Sequence, residues 1–265
     1  MEIYTDKDMP IGFMDSGVGG LSVLREAMKI APFEDYIYYG DSAHAPYGVK
    51  SVEEITRLTY DVVDKLLDMG IKGLAVACNT ATSAAVRSLR GDYPDLPIVG
   101  IEPAIKPAVI DKDVKRVLVM ATPMTIRQEK FNRLLSQYSD SKEVISVECG
   151  GLMEYVERGI LEGAELEAYL SDKLIGYMND EDTGIVLGCT HYPFLKETIL
   201  KVLSSYKVKI YDGGYGTALE LMRRLDTAHL LRDDKDRTGK VTILNSKEDE
   251  SVIRLSEDLL YGRKS

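Results

Sequence analysis

One eleven-residue phrase occurs twice in this chain, and the repetition constrains the fold more than any other feature. Gly73-Leu-Ala-Val-Ala-Cys-Asn-Thr-Ala-Thr-Ser83 carries an apolar run, Leu74 to Ala77, that ends abruptly in Cys78, Asn79 and Thr80. Gly184-Ile-Val-Leu-Gly-Cys-Thr-His-Tyr-Pro-Phe194 repeats the order: a glycine, an apolar run, a cysteine, then polar groups. Short apolar runs without alternation suit strands buried on both faces of a parallel sheet. In such sheets ligands bind beyond the carboxyl ends of the strands. Each phrase therefore delivers a thiol and hydrogen-bonding side chains to a binding edge.

The echo extends upstream. Phe13-Met-Asp-Ser-Gly17 is matched by Val119-Met-Ala-Thr-Pro123, an apolar strand followed by a hydroxyl residue in the turn, at a similar interval before each cysteine. Strands are expected at Ile11 to Met14, Asp35 to Tyr39, Leu74 to Ala77 and Ile98 to Ile101. They continue at Arg116 to Ala121, Val144 to Val147, ahead of Cys189, at Val208 to Tyr211 and at Val241 to Leu244. Helical spacing lies between them, as in Leu21, Leu24, Ala27 and Met28, and Ser51-Val-Glu-Glu54 is a capping box opening a helix to about Met69. Further helices are expected from Cys78 to Leu89, from Thr122 to Tyr138, over Glu165 to Met178 with Tyr169 and Tyr177 on its apolar face, and to Leu203, Leu230 and Leu260. Pro103 and Pro107 interrupt the pattern and mark a boundary, and Arg232 to Lys240 reads as a solvated loop. The expected architecture is α/β: two pseudo-symmetric parallel-sheet, flavodoxin-like domains with the active site in the cleft between them. Residues 1–101 plus 212–265 would form the first domain and residues 102–211 the second.

The bulk numbers exclude several classes. With a formal charge of −10 and no basic run, the chain lacks the clustered cations that hold a phosphate backbone, so no nucleic-acid partner is expected. The amino terminus is too polar for a signal peptide and no apolar run reaches spanning length, so a cytoplasmic protein without a membrane partner is expected. Three widely spaced cysteines suit reduced thiols rather than a disulfide framework. They and the three histidines show no C-x-x-C or H-x-x-x-H spacing, so no metal is expected.

The loop Asp15-Ser-Gly-Val-Gly-Gly20 lacks the third glycine of a dinucleotide fingerprint, which would fall at Ser22. It suits a carboxylate at a helix amino terminus instead. Two thiols on opposite sides of a planar carbon can act as base and acid, one removing a proton and the other delivering one to the far face, with inversion as the result. Asp15 and His191 are the candidate partners of Cys78 and Cys189. Backbone N–H groups and the hydroxyls of Ser16, Thr80, Thr122 and Thr190 are candidate donors to a substrate carboxylate. Alone, Cys78 would read as a buried structural thiol, which the second cysteine phrase changes; Asp15 alone would read as a helix cap. Cys149 has no counterpart and reads as structural, and His44 and His229 read as surface residues.

Asp15-Ser-Gly-Val-Gly-Gly20, Pro46-Tyr-Gly48, Ala77-Cys-Asn-Thr-Ala81 and Gly188-Cys-Thr-His-Tyr-Pro193, in that order, resemble the bacterial glutamate racemases of the aspartate/glutamate racemase superfamily. The resemblance implies a racemase needing no cofactor, a glutamate substrate, a product used in peptidoglycan, and a homodimer. It implies that Cys78 acts on the D-enantiomer with Asp15, and Cys189 on the L-enantiomer with His191 and Glu157. Substrate contacts implied are Asp15, Ser16, Pro46, Tyr47, Gly48, Asn79, Thr80, Thr122, Thr190 and His191. The chain departs from the usual pattern at His44, where an arginine is common, and at Gln128, Cys149-Gly-Gly-Leu152 and Gly216. Rival readings are an aspartate or hydantoin racemase, a hydrolase built on Cys189 and His191, and an amino-acid-binding protein without chemistry.

Overall fold

Parallel pairing joins all nine strands found among the described residues of the computed structural model, which are 6–127, 135–136, 138 and 142–263. In chain order they are β1 (Ile11–Asp15), β2 (Tyr36–Gly40), β3 (Gly73–Val76), β4 (Ile98–Gly100), β5 (Arg116–Ala121), β6 (Glu143–Glu148), β7 (Thr183–Leu187), β8 (Val208–Asp212) and β9 (Val241–Asn245). Each lies close to a hydrophobic run of the sequence. The chain divides into two compact units, Met1–Glu102 with Gly214–Ser265, and Pro103–Gly213.

The first unit holds a five-stranded sheet of order β4-β3-β1-β2-β9, the second a four-stranded sheet of order β6-β5-β7-β8. In each, the first strand of the unit is flanked by its second and third, with the fourth beyond the third. The wiring is therefore the same, and β9 is an addition of the first unit. The register is the same as well. Met14 pairs with Val76 and Met120 with Leu187, and in both units the cysteine stands two residues past that last pair. The backbone ladder then takes one further step in both, Ala77 N–H to the Met14 carbonyl and Gly188 N–H to the Met120 carbonyl, each at 2.8 Å.

Every residue of β1, β2, β3, β5 and β7 is buried, as strands covered on both faces require. Helix Val52–Asp68 starts where the capping box puts it, with the Glu54 N–H donating to Ser51 Oγ at 3.2 Å. It buries Ile55, Leu58, Val62, Val63 and Leu66 along one face, each worth roughly 1.5–3 kcal/mol of transfer free energy. In the second unit Ile105, Ala108, Val109, Val114, Val117, Val119 and Val186 form one apolar cluster.

Some expectations need correction. Pro107 does not interrupt structure: it lies in the first turn of helix Ile105–Ile110, where its missing N–H would have had no helical partner. A short helix, Leu152–Glu157, has no counterpart in the sequence reading. The helix expected over Glu165 to Met178 is Ala164–Leu174 followed by the 3-10 turn Ile175–Tyr177, which leaves Tyr177 exposed. Gln128 and most of the helix expected to reach Tyr138 fall outside the described residues, apart from helix Pro123–Arg127. The loop Arg232 to Lys240 is not merely solvated. Arg232 reaches Asp35 at 2.8 Å and Arg237 reaches Asp35 at 2.9 Å, while the Arg232 N–H donates to Glu34 Oε1 at 2.8 Å. Glu34 is in turn paired with Lys72 at 2.5 Å, both side chains wholly buried. No helix among the described residues is long and apolar enough to cross a membrane.

Candidate active site

The first unit gathers its candidate residues where β1, β2 and β3 end. Asp15, the last residue of β1, is fully buried, and its Oδ2 accepts the Gly20 N–H at 2.9 Å. The carboxylate thus sits at the amino terminus of helix Leu21–Ile30, where partial positive charge favours it. Only glycine fits at position 20. A Cβ there would stand 2.8 Å from the Asp15 Cβ and 2.9 Å from that of Ala77, so the turn presses against both strand ends.

Cys78 is the N-cap of helix Asn79–Asp92, a position that usually takes a hydroxyl or amide oxygen. Its Sγ accepts the Ala81 N–H at 3.5 Å and lies 3.6 Å from Ser16 Oγ. The sulfur therefore faces the donor end of a helix, the setting in which negative charge is stabilised. Cys78 is 5% exposed, Ser16 5% and Thr80 7%. Asn79 is half-buried, with its Oδ1 enclosed and accepting no hydrogen bond from the described residues.

Pro46 and Gly48 are half-buried on the loop after β2, and Tyr47 is buried, opening the 3-10 turn Tyr47–Val49. The Tyr47 hydroxyl donates to Asp41 Oδ2 at 2.7 Å. Burial and that bond raise the phenol pKa far above 10.0, and the nearby charges of Cys78 and Asp15 add to the rise. It stays a phenol. His44, read as a surface residue, is half exposed at its side chain, but its Nδ1 lies 2.9 Å from Asp41 Oδ1. Asp41 was not among the residues singled out from the sequence. An acid directly after a strand, in a loop bounded by glycines, was the available signal.

In the second unit Cys189, His191 and Glu157 form a chain of contacts. His191 Nδ1 is 3.6 Å from Cys189 Sγ, and its Nε2 is 2.7 Å from Glu157 Oε1. His191 is 2% exposed and precedes the 3-10 helix Tyr192–Leu195, yet its side chain makes no capping bond there. Burial alone would push its pKa down. The hydrogen bonds to Cys189 and Glu157 outweigh that and carry it well above 6.5, so the ring is held as an imidazolium. Glu157 ends helix Leu152–Glu157, and the chain turns away at Gly159, whose φ of 73° lies in the region that favours glycine. Thr190 is buried. Thr122 caps helix Pro123–Arg127, its Oγ1 accepting the Thr125 N–H at 3.3 Å.

Cys149 is a different kind of thiol. It is 1% exposed, its Sγ donates to the Val147 carbonyl at 3.5 Å, and burial pushes its pKa up to about 12. Among the described residues no group of three or more His, Cys, Asp and Glu side chains is arranged to hold a metal. The second unit therefore offers a thiol beside an ionisable group, and the first a thiol beside a hydroxyl and a helix N–H with Asp15 at the end of the adjoining strand, groups suited to proton transfer.

Known proteins share this arrangement of elements. The family model described as Asp/Glu/Hydantoin racemase matches residues 11–218. A glutamate racemase of Clostridium botulinum (strain Alaska E43 / Type E3) is 49% identical over 254 residues, which cover 96% of this chain and 98% of that protein. The crystal structure of glutamate racemase from Francisella tularensis in complex with D-glutamate matches with a TM-score of 0.81 and 30% identity, covering 96% of this chain and 94% of that one. Escherichia coli glutamate racemase, in complex with L-glutamate and the activator UDP-MurNAc-ala, matches with a TM-score of 0.82 and 28% identity over 95% of both chains. With a match that spans both cysteine phrases and relatives similar over nearly their full length, the chain belongs to the Asp/Glu/hydantoin racemase family.

Proposed function

We propose that this protein interconverts L- and D-glutamate by moving a proton at Cα between two thiols, without a cofactor. The observation that carries the reading is the repeated strand end. The same register, one ladder step and one cysteine occur in each unit, and each sulfur has its own hydrogen-bonding partners. The choice of glutamate draws on relatives at about half identity that carry that name and on related structures that hold its D- and L-forms.

In this mechanism one sulfur, as thiolate, takes the Cα proton and becomes a thiol, while the other, as thiol, gives its proton to the opposite face and becomes a thiolate. Atoms and charge balance, and the enzyme is left ready for the other enantiomer. Cys189 serves the L-enantiomer, with the His191 imidazolium beside its sulfur and Glu157 holding that charge. Cys78 serves the D-enantiomer, with Asp15 at the adjoining strand end. Ser16, Asn79, Thr80, Thr122, Thr190, His191 and the Pro46-Tyr47-Gly48 loop bind the substrate, with donors aimed at the carboxylate where negative charge grows as the proton leaves. The reading requires one substrate carbon within reach of both sulfurs at once. We also propose that the D-glutamate feeds peptidoglycan synthesis and that the enzyme works as a homodimer, as the resemblance implies, and that it is cytoplasmic, as the polar amino terminus and widely spaced cysteines suggest.

The test is racemisation of each glutamate enantiomer by purified protein with no cofactor added, followed by optical activity. Cys78→Ala and Cys189→Ala should each abolish it. A single variant with full activity refutes the two-thiol scheme, and a wild type active only on aspartate or a hydantoin refutes the substrate.

A further inference from the structure

We propose that Asp41 is a positioning residue: its buried carboxylate grips the Tyr47 hydroxyl and so fixes the Pro46-Tyr47-Gly48 loop beside the Cys78 half of the site. The assignment rests on the reading that this loop binds substrate. Asp41 extends the sheet by one residue, its N–H donating to the Asp15 carbonyl at 2.9 Å, so its backbone is tied to the candidate partner of Cys78. It is 3% exposed. A carboxylate that deep is costly to keep unless its oxygens accept hydrogen bonds. Here both are occupied, Oδ2 by the Tyr47 hydroxyl at 2.7 Å and Oδ1 by His44 Nδ1 at 2.9 Å. A hydroxyl donating to an ionised carboxylate makes one of the stronger hydrogen bonds in a protein.

The bond spans the loop from its root to the residue meant to meet the substrate. Contacts from the end of β9 hold the near end. Asn245 Nδ2 donates to Ser42 Oγ at 2.8 Å, and the Ala43 N–H donates to Ser246 Oγ at 2.9 Å, both from the end of β9. The turn below is already tight, since a Cβ on Gly40 would lie 2.5 Å from the Gly17 carbonyl oxygen. Beyond Ala43 it is the Asp41 carboxylate that reaches His44 and Tyr47. The second unit has no such device at the matching place. There the residue whose N–H bonds the end of the first strand is Cys149, to the Ala121 carbonyl at 2.9 Å, and its thiol turns back to its own strand. The carboxylate is a feature of the first unit, matched to the loop it holds.

The experiment is steady-state glutamate racemisation by the wild type, Asp41→Ala, Asp41→Asn, Tyr47→Phe and the Asp41→Ala/Tyr47→Phe double variant, with melting temperatures alongside. Asp41→Ala and Tyr47→Phe should each raise KM about tenfold with kcat within about threefold, the pattern of lost binding rather than lost chemistry. Because both act through one bond, the double variant should be no worse than the worse single variant. Asp41→Asn keeps an acceptor for the hydroxyl and should recover most of the loss. Unchanged KM in Tyr47→Phe, additive losses in the double variant, or a fall in kcat at constant KM would each overturn the assignment. If Asp41→Ala does not fold, Tyr47→Phe and Asp41→Asn decide the matter. A wild type inactive on glutamate removes the functional reading and the assignment with it; an active wild type with unmoved variants removes the assignment alone.

Discussion

Replacing Glu157 by glutamine tests the electrostatics of the Cys189 half with little change of shape. The amide keeps an oxygen where Glu157 Oε1 meets His191 Nε2 at 2.7 Å, but it removes the negative charge. Hydrogen bonds to charged groups contribute about 1.5–3 kcal/mol, and losing one of this bond's two charges takes it from the top of that range toward the bottom, a loss of about 1–1.5 kcal/mol. Neither side chain is exposed enough for water to take up the charge, at 2% for His191 and 19% for Glu157. At about 1.4 kcal/mol per decade, kcat/KM should fall roughly tenfold. Because the enantiomers have equal free energy, it must fall by the same factor in both directions, while kcat and KM can divide that loss differently for each. The pH dependence has a definite sign. The His191 pKa is raised on folding, so the stability it contributes is fully present below its unfolded value of about 6.5 and is lost as pH rises through the folded value. The variant should therefore melt furthest below the wild type near about pH 6, and the gap should narrow as the pH rises. Racemisation followed by circular dichroism, with melting curves across that range, measures both. An unchanged kcat/KM, or a melting gap that widens with pH, would refute the reasoning.

The other predictions concern groups outside the proton path. Cys149, with its pKa pushed up to about 12, should react with iodoacetamide at neutral pH about a thousandfold more slowly than an ordinary thiol, whereas Cys189 should label readily. Peptide mass spectrometry decides it, and equal labelling of the two would show that Cys149 is not sealed. Lys72→Met strands the wholly buried Glu34 carboxylate, with Arg232 at 3.7 Å as partial compensation, and should cost about 3 kcal/mol in urea unfolding with the racemisation constants of the folded variant unchanged. A loss below about 1 kcal/mol would mean that the pair does not hold the Arg232 loop down.

The parts of the fold legible from the sequence were those written as runs of apolar residues. β5 is bounded where its apolar run is bounded, and the match of Met14 with Met120 is the same match that the pairings with Val76 and Leu187 make in space. Helix Ile105–Ile110 was hidden because proline is read as a breaker, although the first helical turn tolerates it. The docked arginines at 232 and 237 were hidden because a run of charges looks alike whether it meets water or, as here, Glu34 and Asp35 from far away in the chain. Asp41 escaped for the same reason: nothing local tells a buried acid from a solvated one. The thiols were legible because each ends a strand, but that Cys149 occupies the place of Asp41 emerges only from the ladder.

The most direct measurement of the central claim starts from protiated L-glutamate in deuterated water and stops early, at a few per cent conversion. If one sulfur removes the proton and the other supplies its replacement, deuterium enters the D-product while the recovered L-substrate stays protiated. Deuterium appearing in recovered substrate as fast as in product, or product that keeps the original hydrogen, would mean that one group serves both faces, and the two-thiol account would be wrong.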